Sequence, residues 1–181
     1  MTKIAIIGSE QSGRTTLASK LGKKGNVSDV TIYDFAKSVT VLMTVDATGY
    51  PNSIKPLVTA LNLSDIVLLC IPPTGPDTYT GECIVALDLL GCKHGVVVLT
   101  KSDTSYQSAL EELKKNIRNI TAGTVLENWD QIAISTTTFD GLEELKELIA
   151  LNGERVDEEL ARLNELPPRV VIDQVFNVTG I

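Results

Sequence analysis

Residues 3–16 read KIAIIGSEQSGRTT, and this stretch says more about the fold than any other part of the chain. An apolar run leads into Gly8, and after four intervening residues Gly13 is followed by a cation and two hydroxyl side chains. A strand, a glycine-bounded turn and a helix in this order have the layout of a phosphate-binding loop. The glycines let the backbone curl so that successive amides point inward, and the helix adds its positive N-terminal end. The stretch therefore predicts an anion site at the start of an α/β domain.

One residue of the loop departs from the strict pattern, which has lysine where this chain has Arg14. A guanidinium keeps the positive charge, but its planar fork is wider than an ammonium. We therefore expect either weaker phosphate binding or an Arg14 side chain that points away from the phosphates. The next residue, Thr15, carries a hydroxyl that can ligate magnesium. The alternative for the whole stretch is an ordinary glycine turn capped by Ser12.

Apolar runs and helical stretches alternate along the chain. The runs are continuously apolar and rich in Val and Ile, which is typical of parallel strands buried on both faces. Apolar residues at spacings of three and four indicate helices between them. This order predicts a P-loop α/β fold with a doubly wound, mostly parallel sheet flanked by helices. The predicted strands are 3–8, 39–46, 65–71, 95–101 and 131–135, and the predicted helices are 14–22, 52–63, 80–91 and 106–120.

Polar segments follow three of these strands, at the edge of the sheet where ligands bind. Asp46 ends the second strand, and an aspartate there can hold magnesium through water while the amide of Gly49 meets a γ-phosphate. Each such segment alone is a weak signal, because glycine turns after strands are common. Their order at successive strand ends makes coincidence the poorer explanation.

The two later segments point to a purine base. Residues 100–103 read Thr-Lys-Ser-Asp, and the carboxylate of Asp103 can accept two hydrogen bonds from the ring nitrogens of guanine. The stem of Lys101 can lie over the base plane. Ser135 and the amides after it, beginning with Thr136, are placed to meet the base carbonyl oxygen. Together these segments predict a guanine nucleotide as ligand.

Composition excludes several classes of function. A net charge of -7 argues against a surface that grips DNA or RNA through a general positive field. No apolar run reaches the roughly 18 residues of a membrane span, and the N-terminus lacks a signal-peptide pattern. We therefore expect a cytoplasmic protein without a membrane or DNA partner. Cys70, Cys83 and Cys92 lack the spacing of a zinc or redox motif and are expected to be buried, reduced thiols.

The C-terminal part changes character after residue 150. Residues 1–150 are expected to form the nucleotide-binding domain, and the charged, helix-favouring residues 151–168 are expected to form a helical linker that ends at two prolines. The β-type run 169–181 stops on an apolar residue. We expect it to be the first strand of a truncated second domain.

The ordered motifs resemble the GTP-binding domain of the translational GTPases, nearest to the elongation factors that deliver aminoacyl-tRNA. Residues 46–84 follow the elongation-factor order of DxPGH, helix, strand and G-x-x-x-x-T-x-E turn, with Gly75, Thr80 and Glu82 in place. Residues 135–149 resemble the SALTGxGIDEL segment, and 169–181 resemble the opening strand of a β-barrel second domain. Within the family the chain is most similar to the SelB-like factors, and specifically to the SelB-like factor of methanogens proposed to serve pyrrolysine.

This resemblance implies GTP or GDP and Mg²⁺ as cofactors, with Thr15 and Asp46 at the metal. It implies aminoacyl-tRNA and the ribosome as partners of the full-length factor. Ser135 matches the serine that supports guanine reading. The implied nucleotide-binding residues are Gly8, Ser12, Gly13, Arg14, Thr15, Thr16, Asp46, Gly49, Thr100, Lys101, Asp103, Ser135 and Thr136.

Departures from the family pattern concern hydrolysis. Tyr50 stands where the elongation factors carry the histidine that positions the attacking water, and a phenol cannot become an imidazolium. Thr48 replaces proline and Thr100 replaces asparagine. Thr31 is a candidate for the switch threonine, with an ordinary strand position as the alternative. His94, the one histidine, is expected to be structural.

Two hypotheses of different classes follow. The first is a guanine-nucleotide-binding switch domain of a SelB-like elongation factor that delivers a specialised aminoacyl-tRNA, with weak or absent GTP hydrolysis. The second is a degenerate domain that no longer binds nucleotide and serves as a scaffold for RNA or protein contacts. A phosphate-loop kinase or ATPase would require the segment 100–103 to be accidental.

Overall fold

The computed structural model describes residues 2–24, 31–37 and 40–163, with side chains described for all of these except 33–37, 40–42 and 163. The strands are β1 Thr2–Gly8, β2 Lys23–Lys24, β3 Thr31–Lys37, β4 Thr40–Asp46, β5 Ile66–Ile71, β6 Gly95–Leu99 and β7 Asp130–Ala133. The helices are α1 Arg14–Leu21, α2 Ile54–Asn62, α3 Thr78–Leu90, α4 Gln107–Thr121 and α5 Leu142–Leu163, with a short 3-10 helix at Ser102–Thr104.

All described strands join one sheet in the order β2-β3-β4-β1-β5-β6-β7. The five strands from β4 to β7 in this order pair in parallel, and β2 and β3 add an antiparallel edge. The predicted mostly parallel α/β fold is confirmed. The five predicted strands correspond to β1, β4, β5, β6 and β7, and the four predicted helices to α1 to α4.

Both faces of the sheet are covered by helices, because successive residues of a strand point to opposite faces. In β1, Ala5 and Ile7 pack with residues of α2, α3 and α4, whereas Ile4 and Ile6 pack with residues of α1 and α5. All four side chains are fully buried. Each large one contributes about 1.5–3 kcal/mol on leaving water, so this strand needs apolar residues at every position.

Strand β3 was absent from the five predicted strands. Its sequence TIYDFAK mixes apolar and polar residues instead of forming a continuous apolar run. That mixture is typical of a strand near a sheet edge with one face toward solvent. The length of this segment and the polar residues that bound it are the sequence signal that could have identified β3.

Helix ends follow local capping chemistry. Asp77 caps α3 by accepting from the amide of Thr80 at 2.8 Å, and the Thr80 hydroxyl oxygen accepts from the amide of Asp77 at 3.3 Å. Such a reciprocal pair satisfies two amides that a helix start leaves without partners. The Ser53 hydroxyl accepts from Lys55 at the start of α2. The threonine of the G-x-x-x-x-T-x-E turn therefore serves the helix start.

The cysteines behave as expected at two positions. Cys70 and Cys83 are buried free thiols, and Cys92 is partly buried. Burial raises the pKa of Cys83 to about 11, and it also raises the pKa of Cys70 and of Cys92. The described thiols are therefore protonated at neutral pH and unreactive.

Helix α5 runs without a break across residues 150 and 151, with Asn152 and Val156 buried. The division into a domain at 1–150, a linker at 151–168 and a barrel strand at 169–181 stays a prediction, and residues 164–181 lie outside the described residues. None of the helices in the described ranges is long and apolar enough to cross a membrane.

Gly95 tests the packing that positions β6. A Cβ there would lie 2.4 Å from the Trp129 ring and 2.6 Å from the carbonyl oxygen of Val67. We expect Gly95→Ala to lower the free energy of unfolding by at least about 2 kcal/mol, because backbone lines one side of the space. Gly81→Ala, on helix α3 with nothing within 4 Å of its Cβ position, is the control and should stabilise by up to about 1 kcal/mol. Urea unfolding of both variants measures this, and equal stabilities would contradict the packing.

Candidate functional site

The loop after β1 has the backbone of a phosphate cradle. Gly8 has a φ of 149° and Gly13 a φ of 83°, and a Cβ on Gly8 would lie 2.5 Å from the carbonyl oxygen of Cys70. Only glycine fits such a position. Gln11 also takes a left-handed φ of 61°. The loop therefore curls tightly between β1 and α1, as the sequence predicts.

Helix α1 begins at this loop with free amides. Its N-cap residue is Gly13, which offers no side-chain acceptor to the first turn. The hydroxyl of Ser12 is buried and has no hydrogen-bond partner among the described residues, so the alternative of a turn capped by Ser12 is not what the structure shows. Amides of a helix start without a cap are ready-made donors to an anion.

A cavity of about 340 Å³ opens at this helix start. It holds the amides of the first turn and one exposed lysine side chain, so its chemistry suits an anion. Asp46, Tyr50 and Asp103 do not line it. The cavity is lined by Glu10, Gln11, Gly13, Arg14, Thr15, Thr16 and Lys101.

Arg14 turns its guanidinium into the protein. Nη1 donates to the carbonyl oxygen of Gly8 at 2.8 Å, and Nη2 donates to the carbonyl oxygen of Tyr50. Nε lies 3.5 Å from Oδ1 of Asp46, and the residue is 8% exposed. Arg14 therefore lines the cavity while its three guanidinium nitrogens face acceptors of the protein itself, which agrees better with the second expectation for this residue.

Asp46 lies beside Thr15, a residue that lines the cavity. The Thr15 hydroxyl donates to Oδ2 of Asp46 at 2.7 Å. Asp46 is fully buried. Burial raises the pKa of its carboxyl, and the Thr15 hydrogen bond and the charge of Arg14 oppose that rise. The two oxygen donors predicted for a metal are therefore neighbours.

These donors do not fit a divalent cation in the cavity. One carboxylate oxygen of Asp46 is held by Thr15, and the other is buried beside the guanidinium of Arg14. Oxygen donors are the right chemistry for Mg²⁺. Oδ1 of Asp46 accepts no hydrogen bond from the described residues, but it is buried beside a cation and Asp46 does not line the cavity, so its charge is already balanced and the oxygen does not face a metal there.

The turn after β4 is compact. The amide of Thr48 donates to the carbonyl oxygen of Asp46 at 2.8 Å, and the amide of Tyr50 donates to that of Ala47 at 3.0 Å. Gly49 lies between them, partly buried. Thr31 is buried at the start of β3, and its hydroxyl lies 2.7 Å from that of Thr48. The candidate switch threonine is thus a strand residue that contacts this turn.

Tyr50 lies in the core and not in the cavity. The residue is 1% exposed and belongs to the cluster that α2, α3 and α4 form with the sheet. Its hydroxyl lies 3.0 Å from both Oε2 of Glu82 and the carbonyl oxygen of Tyr79, either of which can accept its hydrogen. Burial raises the pKa of Tyr50, and Glu82 adds to the effect. The phenol therefore serves packing and a buried hydrogen bond.

The segment 100–103 is joined to the phosphate loop. The hydroxyl of buried Thr100 donates to the carbonyl oxygen of Ser12 at 2.6 Å, and Nζ of Lys101 donates to that of Gln11 at 2.8 Å. Lys101 takes a left-handed φ of 54°, and such strain is found where surrounding contacts hold a functional residue. Asp103 is exposed in the 3-10 helix that follows.

Residues 135–140 form a loop next to the segment 100–103. The Ser135 oxygen accepts from the amides of Thr137 and Thr138 at 3.2 and 3.0 Å, so its side chain organises the loop. Thr136 is partly exposed. The amide of Ser102 donates to the carbonyl oxygen of Ile134 at 3.0 Å, which links the two segments.

Gln11 takes part in the site although no sequence motif predicts a role for it. Gln11 serves through its backbone carbonyl, which accepts from Lys101, and a backbone group leaves no residue-type signal. His94 lies at the opposite edge of the sheet, before β6, with Nε2 at 3.4 Å from Oε2 of Glu159. Its position at the amino end of β6, away from the carboxyl ends of the strands, agrees with a structural role.

Curated proteins and solved structures similar to this chain include selenocysteine-specific elongation factors. A selenocysteine-specific elongation factor of Desulfomicrobium baculatum is 33% identical over 138 residues, which cover 75% of this chain and 21% of that protein. One of Methanocaldococcus jannaschii is 26% identical over 197 residues, covering 98% of this chain and 41% of that protein. No family model matches.

One such solved structure is translation elongation factor SelB from Methanococcus maripaludis in complex with the GTP analogue GppNHp. It matches with a TM-score of 0.77 and 30% identity, over 84% of this chain and 34% of that one. The chain thus spans between about a fifth and about two fifths of these proteins.

The link between residue 100 and the loop can be tested by removing one hydroxyl. Thr100→Val keeps the side-chain shape but leaves the buried carbonyl of Ser12 without its donor, so we expect a loss of about 1–3 kcal/mol in unfolding free energy. Thr104→Val removes a similar bond to the carbonyl of Lys101 at an exposed site and should change stability by less than about 0.5 kcal/mol. Chemical denaturation measures both, and a neutral Thr100→Val would show that the bond adds nothing.

Proposed function

Because the chain is homologous to the G domain of SelB-like translation elongation factors, we propose that it is the guanine-nucleotide-binding domain of such a factor. The single observation that carries the proposal is the pair of bonds from Thr100 and Lys101 to the phosphate loop. These bonds make the base-reading segment and the phosphate cradle parts of one site. A nucleotide can then touch both at once.

The proposed binding mode follows the chemistry of each part. Amides at the start of α1 receive the phosphates, helped by the helix dipole. The carboxylate of Asp103 accepts two hydrogen bonds from guanine, which adenine cannot supply. Lys101 places a positive charge and an apolar stem between the two regions. This binding mode includes no Mg²⁺, because the Asp46 carboxylate is already paired with Arg14.

Hydrolysis of GTP is proposed to be weak or absent. The residue at the position of the family's catalytic histidine is Tyr50, and its hydroxyl is held by Glu82 and Tyr79 inside the core. A general base or a water-positioning group must reach the reacting atoms. A buried phenol outside the cavity does not meet that requirement.

The partners proposed for the full-length factor are aminoacyl-tRNA and the ribosome. The relatives named as selenocysteine-specific elongation factors support this class of partner. Service to pyrrolysine stays a prediction, and so does a cytoplasmic location.

A second candidate function is a scaffold domain that has lost nucleotide binding. The guanidinium of Arg14 favours it, because its nitrogens are engaged by acceptors of the protein and are not free for a phosphate. Nucleotide titration separates the two: absence of any affinity at millimolar GDP and GTP would leave the scaffold as the function.

Guanine selectivity is expected to depend on Asp103. Calorimetric titration should give at least about a hundredfold preference for GDP over ADP, and Asp103→Asn should lower GDP affinity by at least about tenfold, since an amide presents one acceptor instead of two. Asp157→Asn, an exposed aspartate on α5, makes the same charge change elsewhere and should have no effect. Equal affinities for GDP and ADP in the wild type would remove Asp103 from the site.

Tyr50 is expected to matter for stability and not for turnover. Tyr50→Phe removes the buried hydroxyl, so we expect a loss of about 1–2 kcal/mol in unfolding free energy while the GTPase rate at saturating GTP changes by less than about twofold. Tyr106→Phe, at an exposed position, is the matched control for stability. A tenfold or greater fall in the rate of Tyr50→Phe would assign a catalytic role to the phenol.

A further inference from the structure

Arg14 contacts three separate pieces of backbone and side chain. Its two terminal nitrogens donate to the carbonyl oxygens of Gly8, at the end of β1, and Tyr50, in the turn after β4. Its Nε faces Asp46, which ends β4. The guanidinium carbon also lies 5.9 Å from the centre of the Tyr50 ring. One side chain therefore joins the phosphate loop to both ends of the turn 46–50.

This set of contacts depends on the shape of a guanidinium. Five N–H donors point outward in a fixed plane, so acceptors in different directions can be met together. A lysine carries its donors on one nitrogen at the end of a flexible stem. Lysine at position 14 cannot reproduce the three separate contacts. Arginine in place of lysine at position 14 therefore has a structural role, because it makes contacts that lysine cannot make.

The charges of Arg14 and Asp46 also belong together. Asp46 is fully buried, and an ionised carboxylate in the interior is costly without a paired cation. Nε of Arg14 stands 3.5 Å from that carboxylate. A divalent cation at the same carboxylate would sit beside a fixed positive charge and be repelled by it.

We propose that Arg14 is a fixed internal counter-ion of Asp46. It ties the turn 46–50 to the phosphate loop, and it takes the place beside Asp46 that a divalent cation would occupy. The site therefore binds guanine nucleotide without a divalent cation, an inference that rests on the proposed function for the identity of the ligand. The phosphates are met by the amides at the start of α1 and by Lys101. The turn stays in one position whether or not a nucleotide is present.

Amide exchange in the absence of nucleotide tests the tether. The amide of Tyr50 donates to the carbonyl oxygen of Ala47 within the tethered turn. In the wild type it should exchange slowly, and in Arg14→Lys it should exchange at least about tenfold faster, because local opening then costs less free energy. Arg118→Lys, at an exposed position on α4, is the control and should leave the rate unchanged. Equal rates in Arg14→Lys and the wild type would overturn the tether.

Nucleotide titration tests the counter-ion. Wild-type affinity for GDP should differ by less than about twofold between buffers with millimolar Mg²⁺ and with EDTA, whereas Mg²⁺ should raise the affinity of Arg14→Lys by about tenfold or more. The wild-type comparison requires no variant, so a failure of Arg14→Lys to fold leaves the test intact.

The outcomes separate the two proposals. Wild-type GDP binding that EDTA abolishes would overturn the counter-ion proposal and leave the proposed function standing. GDP binding in neither buffer would overturn the proposed function and, with it, binding without a divalent cation. The exchange rate of the Tyr50 amide would then still decide whether Arg14 is a tether.

Discussion

Strand β1 is buried on both faces, and this burial fixes how the neighbouring strands and helices are arranged. It lies between β4 and β5, paired in parallel with both, and its alternate side chains fill two separate cores. Parallel neighbours must end at the same edge, so Gly8, Asp46 and the residues after β6 and β7 come together there. The site is a consequence of strand direction before any ligand chemistry is considered.

Charge balance at that edge explains why the loop differs from the strict pattern. Asp46 is buried and does not line the cavity, and its counter-ion Arg14 bonds to acceptors of the protein. The positive groups of the cavity that are not engaged by Asp46 are the helix amides and Lys101. An arginine in place of lysine therefore moves one positive charge from the ligand side of the loop to the protein side.

Much of the fold and part of the site follow from sequence patterns. Five strands, four helices and the mostly parallel sheet follow from continuous apolar runs, since such runs require burial on both faces. The glycine positions of the loop and the closeness of Thr100 to it follow from strand order. Strand β3 was missed, because an edge strand with mixed polarity has no continuous run. The inward contacts of Tyr50 with Glu82 and Tyr79 were also missed, because they join segments about thirty residues apart.

The fold class, the phosphate loop and the order of the nucleotide motifs can be read from the chain alone, because they depend on local periodicity and on glycines at fixed spacing. The directions in which the side chains of Arg14 and Tyr50 point follow instead from three-dimensional packing. Both are set by acceptors that lie far along the chain: Asp46 and the Tyr50 carbonyl for Arg14, and Glu82 for Tyr50. The residue type shows which hydrogen bonds a side chain can donate or accept, but packing determines which partner the side chain meets.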